Sequence, residues 1–216
     1  MSLKKNTFQP HEVREYERKR YRSWDQKWVD RRERRIIRRL LEQAGGGSGL
    51  ILDVPCGYGR FSGLLRMKSE ELVSSDISHA MVERALANRR YAGEERTLGV
   101  TGDILEGMPF RDGAFQGILS MRLFHHIHQD GERSRVLREY ARVTTHWVIC
   151  SYYQKNRLHQ WQRRVRRKIK KSATRIHMVT PQEFARICRA ADFEVAAAVP
   201  LFKGGHAQHI ALLLKA

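Results

Sequence analysis

A glycine turn directly after a short apolar run is the part of this sequence whose residue types favour ligand binding. The apolar run 50–52 ends in Asp53, and a turn containing Gly57 and Gly59 follows at residues 56–59. A buried strand that ends in glycines lets a ligand approach the backbone closely, because no Cβ atom stands in the way. The segment therefore predicts a small-molecule site at the end of a strand.

The spacing of this turn excludes two common glycine-rich sites. A dinucleotide-binding fingerprint needs a third glycine where the chain has Ser62, and Gly63 stands one residue late. A phosphate-binding P-loop needs Gly-Lys followed by Ser or Thr, and the sequence after the turn continues differently. The turn therefore predicts a different class of ligand.

Three motifs resemble, in their order, those of class I S-adenosylmethionine-dependent methyltransferases. They are the acid-x-x-x-Gly-x-Gly turn at residues 53–59, Asp76 after a second apolar run, and the Gly-Asp-Ile segment at residues 102–104. The resemblance extends over residues 45–152. It implies a Rossmann-like fold, S-adenosylmethionine as the methyl donor and S-adenosylhomocysteine as the product.

The stretch 108–120 resembles the type 11 branch of this family. It reads MPFRDGAFQGILS and carries Gln116 where that branch usually has an aspartate. Pro55 likewise replaces a glycine that is often found in the first motif, while both turn glycines are kept.

The resemblance implies a set of cofactor-binding residues. Asp76 would accept hydrogen bonds from the two ribose hydroxyls, and Asp103 would accept one from the adenine amino group. The turn glycines would let the methionine end approach the backbone. Asp53 would organise the glycine turn or meet the amino group through water. The complete implied set is Asp53, Gly57, Gly59, Asp76, Ile77, Met81, Asp103, Ile104 and Met121.

Methyl transfer from a sulfonium is an in-line displacement with a neutral thioether as the leaving group. No acid is needed, and most of the rate can come from positioning, which contributes up to roughly 7–11 kcal/mol. A base is needed only for an acceptor that is protonated at working pH. The family places residues after the fourth strand beside the sulfonium, so His125 or His126 is the predicted base.

The histidines have a second interpretation. Either one can be a packed residue in the first turn of a helix, without any role in proton transfer. No metal site is predicted, because no carboxylate or cysteine stands at ligand spacing from residues 125, 126 and 128. Tyr152 and Tyr153, after the fifth strand, are expected to line the acceptor pocket.

The elements that must position these residues follow an alternating pattern. It predicts an α/β fold, a doubly wound, mostly parallel seven-stranded sheet with a closing antiparallel hairpin. Helices are predicted within residues 11–43, over 61–67 and over 78–90 with Ser78 as the N-cap, and strands near 50–54, 72–75, 97–100, 115–120, 147–151, 193–202 and 207–214. The predicted organisation is a basic helical extension at 1–44 and a methyltransferase domain at 45–216, with a basic helical insert at about 155–176.

Length and composition set the class of protein. With 216 residues the chain is long enough for one domain. It contains no apolar run of the length that crosses a bilayer, and its first residues lack the apolar segment of a signal peptide. An odd count of three cysteines suits a reducing compartment. We therefore expect a cytoplasmic protein, with association at the inner membrane face as an option.

The positive charge is concentrated in two segments. The formal net charge is +18, of which residues 155–175 carry +10 without any acid and residues 1–43 carry +7. An acid-free run of this length is unusual for a solvated helix face, which normally mixes signs. Within it Leu158, Trp161, Val165 and Ile169 form one apolar stripe at helical spacing.

Three interpretations of the basic run stay open. It can pack on the domain as a generic positive face, lie on an anionic membrane, or bind RNA. Trp24 and Trp28, near other arginines, suit an interface anchor or base stacking. The residues predicted to contact an anionic partner are Arg163, Arg164, Arg166, Arg167, Lys168, Lys170 and Lys171.

The function predicted from the sequence is methyl transfer to an anionic or membrane-associated acceptor, either a small molecule or a lipid-linked one. The regular apolar stripe favours the lipid-linked form. The alternatives are an RNA methyltransferase and a basic adaptor that binds S-adenosylmethionine without catalysis. The segment after the fourth strand lacks an Asn-Pro-Pro-Tyr type element, which disfavours methylation of amino groups on bases or glutamine.

Overall fold

One mixed β-sheet carries the fold. The computed structural model describes residues 8–20, 22–47, 49–69, 71–90, 97–127, 129–155, 178–202 and 207–216. The sheet is seven-stranded with the order β3-β2-β1-β4-β5-β7-β6. The strands are β1 (Ile51–Asp53), β2 (Leu72–Asp76), β3 (Thr97–Thr101), β4 (Phe115–Ser120), β5 (Thr144–Tyr153), β6 (Phe193–Pro200) and β7 (Gln208–Lys215).

The strand directions confirm the predicted fold class. β1 pairs in parallel with β2 and β4, and the parallel set extends to β3 and β5. β7 is antiparallel to both β5 and β6, which is the predicted closing hairpin. The strand order changes direction between β1 and β4, and ligands of doubly wound sheets bind at the carboxyl ends of the strands at such a point.

The helices agree with the prediction only in part. They are α1 (Pro10–Lys19), α2 (Trp24–Gln43), α3 (Ser62–Leu65), α4 (His79–Arg90), α5 (Asp130–Val143) and α6 (Pro181–Arg189). The N-terminal pattern forms two helices, and α3 has a single turn where a helix over 61–67 was predicted. Ser78 stands at the predicted N-cap position directly before α4, and its carbonyl accepts hydrogen bonds from the Met81 and Val82 N–H groups, but its buried hydroxyl has no hydrogen-bond partner.

Helix α2 belongs to the core of the sheet. Ile36, Ile37, Leu40 and Leu41 are buried in one cluster with residues of β1, β4, β5 and β7, including Trp147. Burying each such aliphatic side chain contributes about 1.5–3 kcal/mol. The predicted division of the chain at residue 44 stays a prediction, but α2 is anchored on the sheet.

The loop between α2 and β1 accounts for the unusual Gln116. Gly45 and Gly46 end the helix in the left-handed region, with φ of 62° and 78°. The side-chain oxygen of Gln116 then accepts a hydrogen bond of 2.8 Å from the Gly49 N–H. Gln116 lies near the amino end of β4, so this departure from the family pattern is remote from the carboxyl edge of the sheet.

No helix in the described part of the chain is both long and apolar enough to cross a membrane. The basic run from residue 156 to residue 175 and its apolar stripe lie outside the described residues, so their predicted contacts stay predictions.

Candidate active site

Asp76 and the glycine turn form one hydrogen-bonded unit at the carboxyl edge of the sheet. The Gly57 N–H donates to Oδ2 of Asp76 at 3.0 Å, and the Ser78 N–H donates to Oδ1 at 2.9 Å. Both carboxylate oxygens therefore accept backbone hydrogens, and the Ile77 N–H contributes a third contact. A carboxylate has about four acceptor sites, so capacity for a ligand hydroxyl remains. Burial raises the pKa of Asp76, against the lowering effect of these backbone hydrogen bonds.

The two glycines of the turn serve different needs. Both have positive φ, 52° at Gly57 and 80° at Gly59, a backbone conformation that residues with a side chain rarely adopt. A Cβ atom at Gly59 would lie 3.1 Å from the Cα of Ala85, so this glycine lets α4 pack against the turn. A Cβ atom at Gly57 would meet nothing within 4 Å. The backbone at Gly57 is thus open to a ligand.

Asp103 caps its own turn. Its Oδ1 accepts a hydrogen bond of 2.9 Å from the Leu105 N–H, and its side chain is half-buried. The neighbouring Gly102 N–H donates to the Asp76 carbonyl at 3.1 Å, which places the two acids on adjacent strand ends. A capping role and a contact with an adenine are compatible, because a carboxylate has two oxygens.

The apolar members of the predicted cofactor set lie around this unit. Ile104, Met81 and Met121 are buried, and Ile77 is half-buried. Asp53 is also buried at the end of β1, and its charge acts on the phenol of Tyr140. All of the predicted cofactor residues therefore lie at or just beyond the carboxyl ends of β1 to β4.

The two histidines differ in exposure. Their rings lie 3.9 Å apart in the turn after β4, and His125 also lies 5.3 Å from the ring of Tyr153. His126 is exposed, whereas His125 is half-buried. Tyr152 instead stacks on Phe184 at 3.9 Å inside the core. The geometry groups His125 with Tyr153, and Tyr152 and Tyr153 both line one small pocket, so the predicted acceptor role of Tyr152 stays a prediction.

A buried ionic cluster beside these groups was not predicted. Glu33 of α2 has no exposed surface. Nη2 of Arg122 donates to its two oxygens at 3.0 and 3.1 Å, Nε2 of Gln208 donates at 3.0 Å, and Arg60 forms a further close ion pair with it. The four residues come from α2, the end of β4, the start of β7 and the end of the glycine turn. The cluster joins the N-terminal helices to the cofactor end of the sheet.

The electrostatics of the cluster are set by burial. Burial raises the pKa of Glu33, and the charge of Arg122 opposes that shift. Burial, followed by the charges of Arg122 and Arg20, lowers the pKa of Arg60 to about 8. Its ion pair with Glu33 favours the charged guanidinium, which ordinarily keeps its proton. Positive charge is therefore concentrated in a poorly solvated place.

The burial of Glu33 is indicated by its position in the sequence. It lies three, four and seven residues before Ile36, Ile37 and Leu40, so it occupies the apolar side of α2. A carboxylate on the buried side of a helix requires a cationic partner. The sequence does not tell which of the many arginines supplies it.

The start of α2 and helix α1 contact the carboxyl edge of the sheet and helix α4. Trp28 stacks on Phe202 at 4.4 Å, and Nε of Arg32 donates to the Leu201 carbonyl at 3.1 Å, both just after β6. From α1, Glu17 pairs with Arg84 of α4 at 2.6 Å. These contacts hold the start of α2 at the end of β6 and α1 against α4.

Comparisons with known proteins identify the domain. Residues 51–146 match the family described as "Methyltransferase domain". The human protein named probable tRNA methyltransferase 9B is 31% identical over 110 residues, which are 50% of this chain and 21% of that protein. The chain therefore spans only a small part of the length of this relative.

Solved structures show the same fold. Magnesium protoporphyrin IX methyltransferase from Synechocystis PCC 6803, with bound SAH, has a TM-score of 0.73 at 16% identity and covers 90% of this chain and 88% of its own. A SAM-dependent methyltransferase from Aquifex aeolicus has a TM-score of 0.65 at 14% identity, over 97% and 100% of the two chains. Residues 51–146 are therefore a methyltransferase domain, and the described part of the chain has the fold of these S-adenosylmethionine-dependent methyltransferases.

Proposed function

We propose that the protein transfers a methyl group from S-adenosylmethionine to an anionic acceptor, either a small molecule or a lipid-linked one. The observation that supports the anionic acceptor is the concentration of guanidinium groups around Glu33, at the end of β4 and beside the glycine turn. The match to a methyltransferase domain supports the reaction type.

The described residues fit the cofactor. The Asp76 carboxylate retains acceptor capacity that would serve the ribose, and the open backbone at Gly57 would accommodate the methionine end. Asp103 is in place for the adenine on the adjacent strand end. When bound, the cofactor supplies an electrophilic methyl group on a sulfonium. The protein then has to orient the acceptor and, for a protonated acceptor, remove a proton.

His125 is the better placed of the two predicted bases, because it is half-buried beside Tyr153. We expect His125→Asn to abolish the acidic limb of the pH–rate profile if a proton leaves the acceptor during transfer. The exposed His126→Asn should leave that limb in place. An acidic limb that persists in both single variants would exclude the histidines as the base.

RNA is the second candidate acceptor. The human relative named for tRNA methylation and the net +10 of residues 155–175 favour it. The preference for a lipid-linked acceptor rests on the apolar stripe at residues 158–169. This stripe is inferred from the sequence only, because these residues lie outside the described part of the chain. Localisation in the cytoplasm and at the inner membrane face is part of the proposal.

The test uses methyl-labelled S-adenosylmethionine and the full chain. Separate reactions contain total cellular RNA, a lipid extract, or the small-molecule fraction of a cell extract. Label in the lipid or small-molecule fraction supports the proposal, and label in RNA selects the second candidate. For RNA, log affinity should also fall with log salt by about 0.7 per phosphate contact. Tight binding of S-adenosylhomocysteine without label transfer to any fraction would instead indicate the non-catalytic adaptor.

A further inference from the structure

The ionic cluster gathers several guanidiniums around two carboxylates. Arg60 and Arg122 share Glu33, while Asp30 is shared between Nε of Arg34 at 2.9 Å and Nη1 of Arg60 at 3.6 Å. Arg122 lies just after β4, where the histidine turn begins.

Arg20, at the C-cap of α1, is a further guanidinium in this region. Its guanidinium carbon lies 5.4 Å from the centre of the Tyr16 ring, and that ring lies 6.3 Å from the ring of Tyr58 in the glycine turn. Burial and the charge of Glu33 raise the pKa of Tyr153, and the charges of Arg122 and Arg20 lower it. Arg20 therefore lies beside the glycine turn, and Arg122 lies at the start of the histidine turn.

The backbone at Arg122 is held in an uncommon conformation. Its φ is 65°, and its N–H donates to Oγ of Ser151 at 2.7 Å. A non-glycine residue rarely adopts this region and persists in it only where its surroundings fix it. Here the Ser151 hydroxyl and Glu33 fix the backbone and the side chain together. The Arg122 side chain is 25% exposed, whereas Glu33 is fully buried, so a ligand can reach the arginine but not its carboxylate.

We propose that Arg122 and Arg20 bind an oxyanion of the acceptor, a phosphate or a carboxylate group, beside Tyr153 and His125. This rests on the proposed function, because the acceptor brings the anion to the point of methyl transfer. Guanidiniums suit both anions, since their N–H groups match two oxygens at once. The sulfonium of the methyl donor adds one more positive charge, which an anionic acceptor offsets.

The test measures anion binding to the wild-type chain saturated with S-adenosylhomocysteine. Inorganic phosphate and benzoate are titrated separately at low ionic strength by calorimetry. We expect saturable binding of at least one of them. Arg122→Gln should weaken it tenfold or more, and Arg122→Lys should weaken it less, because the charge is kept. Affinity for S-adenosylhomocysteine should be unchanged in both variants.

Vesicles of phosphatidylcholine with and without phosphatidic acid form a second arm, which distinguishes the source of the phosphate. Recruitment that requires both phosphatidic acid and Arg122 identifies a lipid headgroup as the ligand. Phosphate binding without recruitment identifies a free acceptor.

Two further variants keep the result interpretable. Arg38→Gln removes the same charge from an exposed position of α2 and should bind the anions like the wild type. Arg20→Gln leaves the contacts of Glu33 intact and should weaken anion binding even if Arg122→Gln fails to fold. Wild-type protein that binds S-adenosylhomocysteine but no anion, or anion binding that survives both Arg20→Gln and Arg122→Gln, overturns the inference. Failure to bind S-adenosylhomocysteine contradicts the proposed function instead.

Discussion

Glu33→Gln is expected to lower the free energy of unfolding by about 3–5 kcal/mol, the usual effect of removing one partner from a buried ion pair. Arg60 would lose the closer of its two carboxylates in a place where burial already lowers its pKa. The amide would keep only one acceptor oxygen for the hydrogen bonds from Arg122 and Gln208, and its NH2 group would face their donors. Urea denaturation followed by circular dichroism measures the change.

Glu42→Gln is the matched control for this variant. Glu42 lies exposed near the end of the same helix, so its change should stay within about 0.5 kcal/mol. If Glu33→Gln also loses less than about 1 kcal/mol, the cluster does not anchor α2 on the sheet. In that case the contacts of Glu33 would be dispensable for the placement of the N-terminal helices.

The fold could be predicted because its signals are local. β1, β2 and β4 each contain a short apolar run, and the glycine turn follows β1 while Asp76 ends β2. Helix α6 also had a local signal that was overlooked: Thr180 and Glu183 form a capping box, with Pro181 at the first position. The helix thus begins where the sequence alone indicates a start.

The acceptor side of the site depends on long-range pairing. Glu33 and Arg122 are 89 positions apart, and only the completed sheet brings them together. The sequence predicted Tyr152 and Tyr153 as a pair, but successive residues of a strand point to opposite faces. Tyr152 therefore lies in the core, and only Tyr153 lies beside His125.

Asp76→Ala is expected to weaken the binding of S-adenosylhomocysteine by about ten- to a hundredfold, the effect of losing a charge-assisted contact of roughly 1.5–3 kcal/mol. The variant also frees the Gly57 N–H, so the glycine turn loses one of its anchors. Calorimetric titration measures the affinity. Asp112→Asn is the control, because Asp112 is 82% exposed in the loop before β4 and should bind the product like the wild type.

The same aspartate predicts a pH dependence. The ribose hydroxyls donate to the ionised carboxylate, and burial raises the pKa of Asp76 in the folded protein. Affinity should therefore be highest above that raised pKa and fall as the pH drops through it, which happens at a higher pH than for an ordinary aspartate. Asp76→Asn keeps the shape of the side chain but does not titrate, so its weaker binding should not change over this range. A pH dependence that is identical in Asp76→Asn and the wild type would assign the titration to another group, and undiminished affinity in both folded Asp76 variants would remove this residue from the cofactor site.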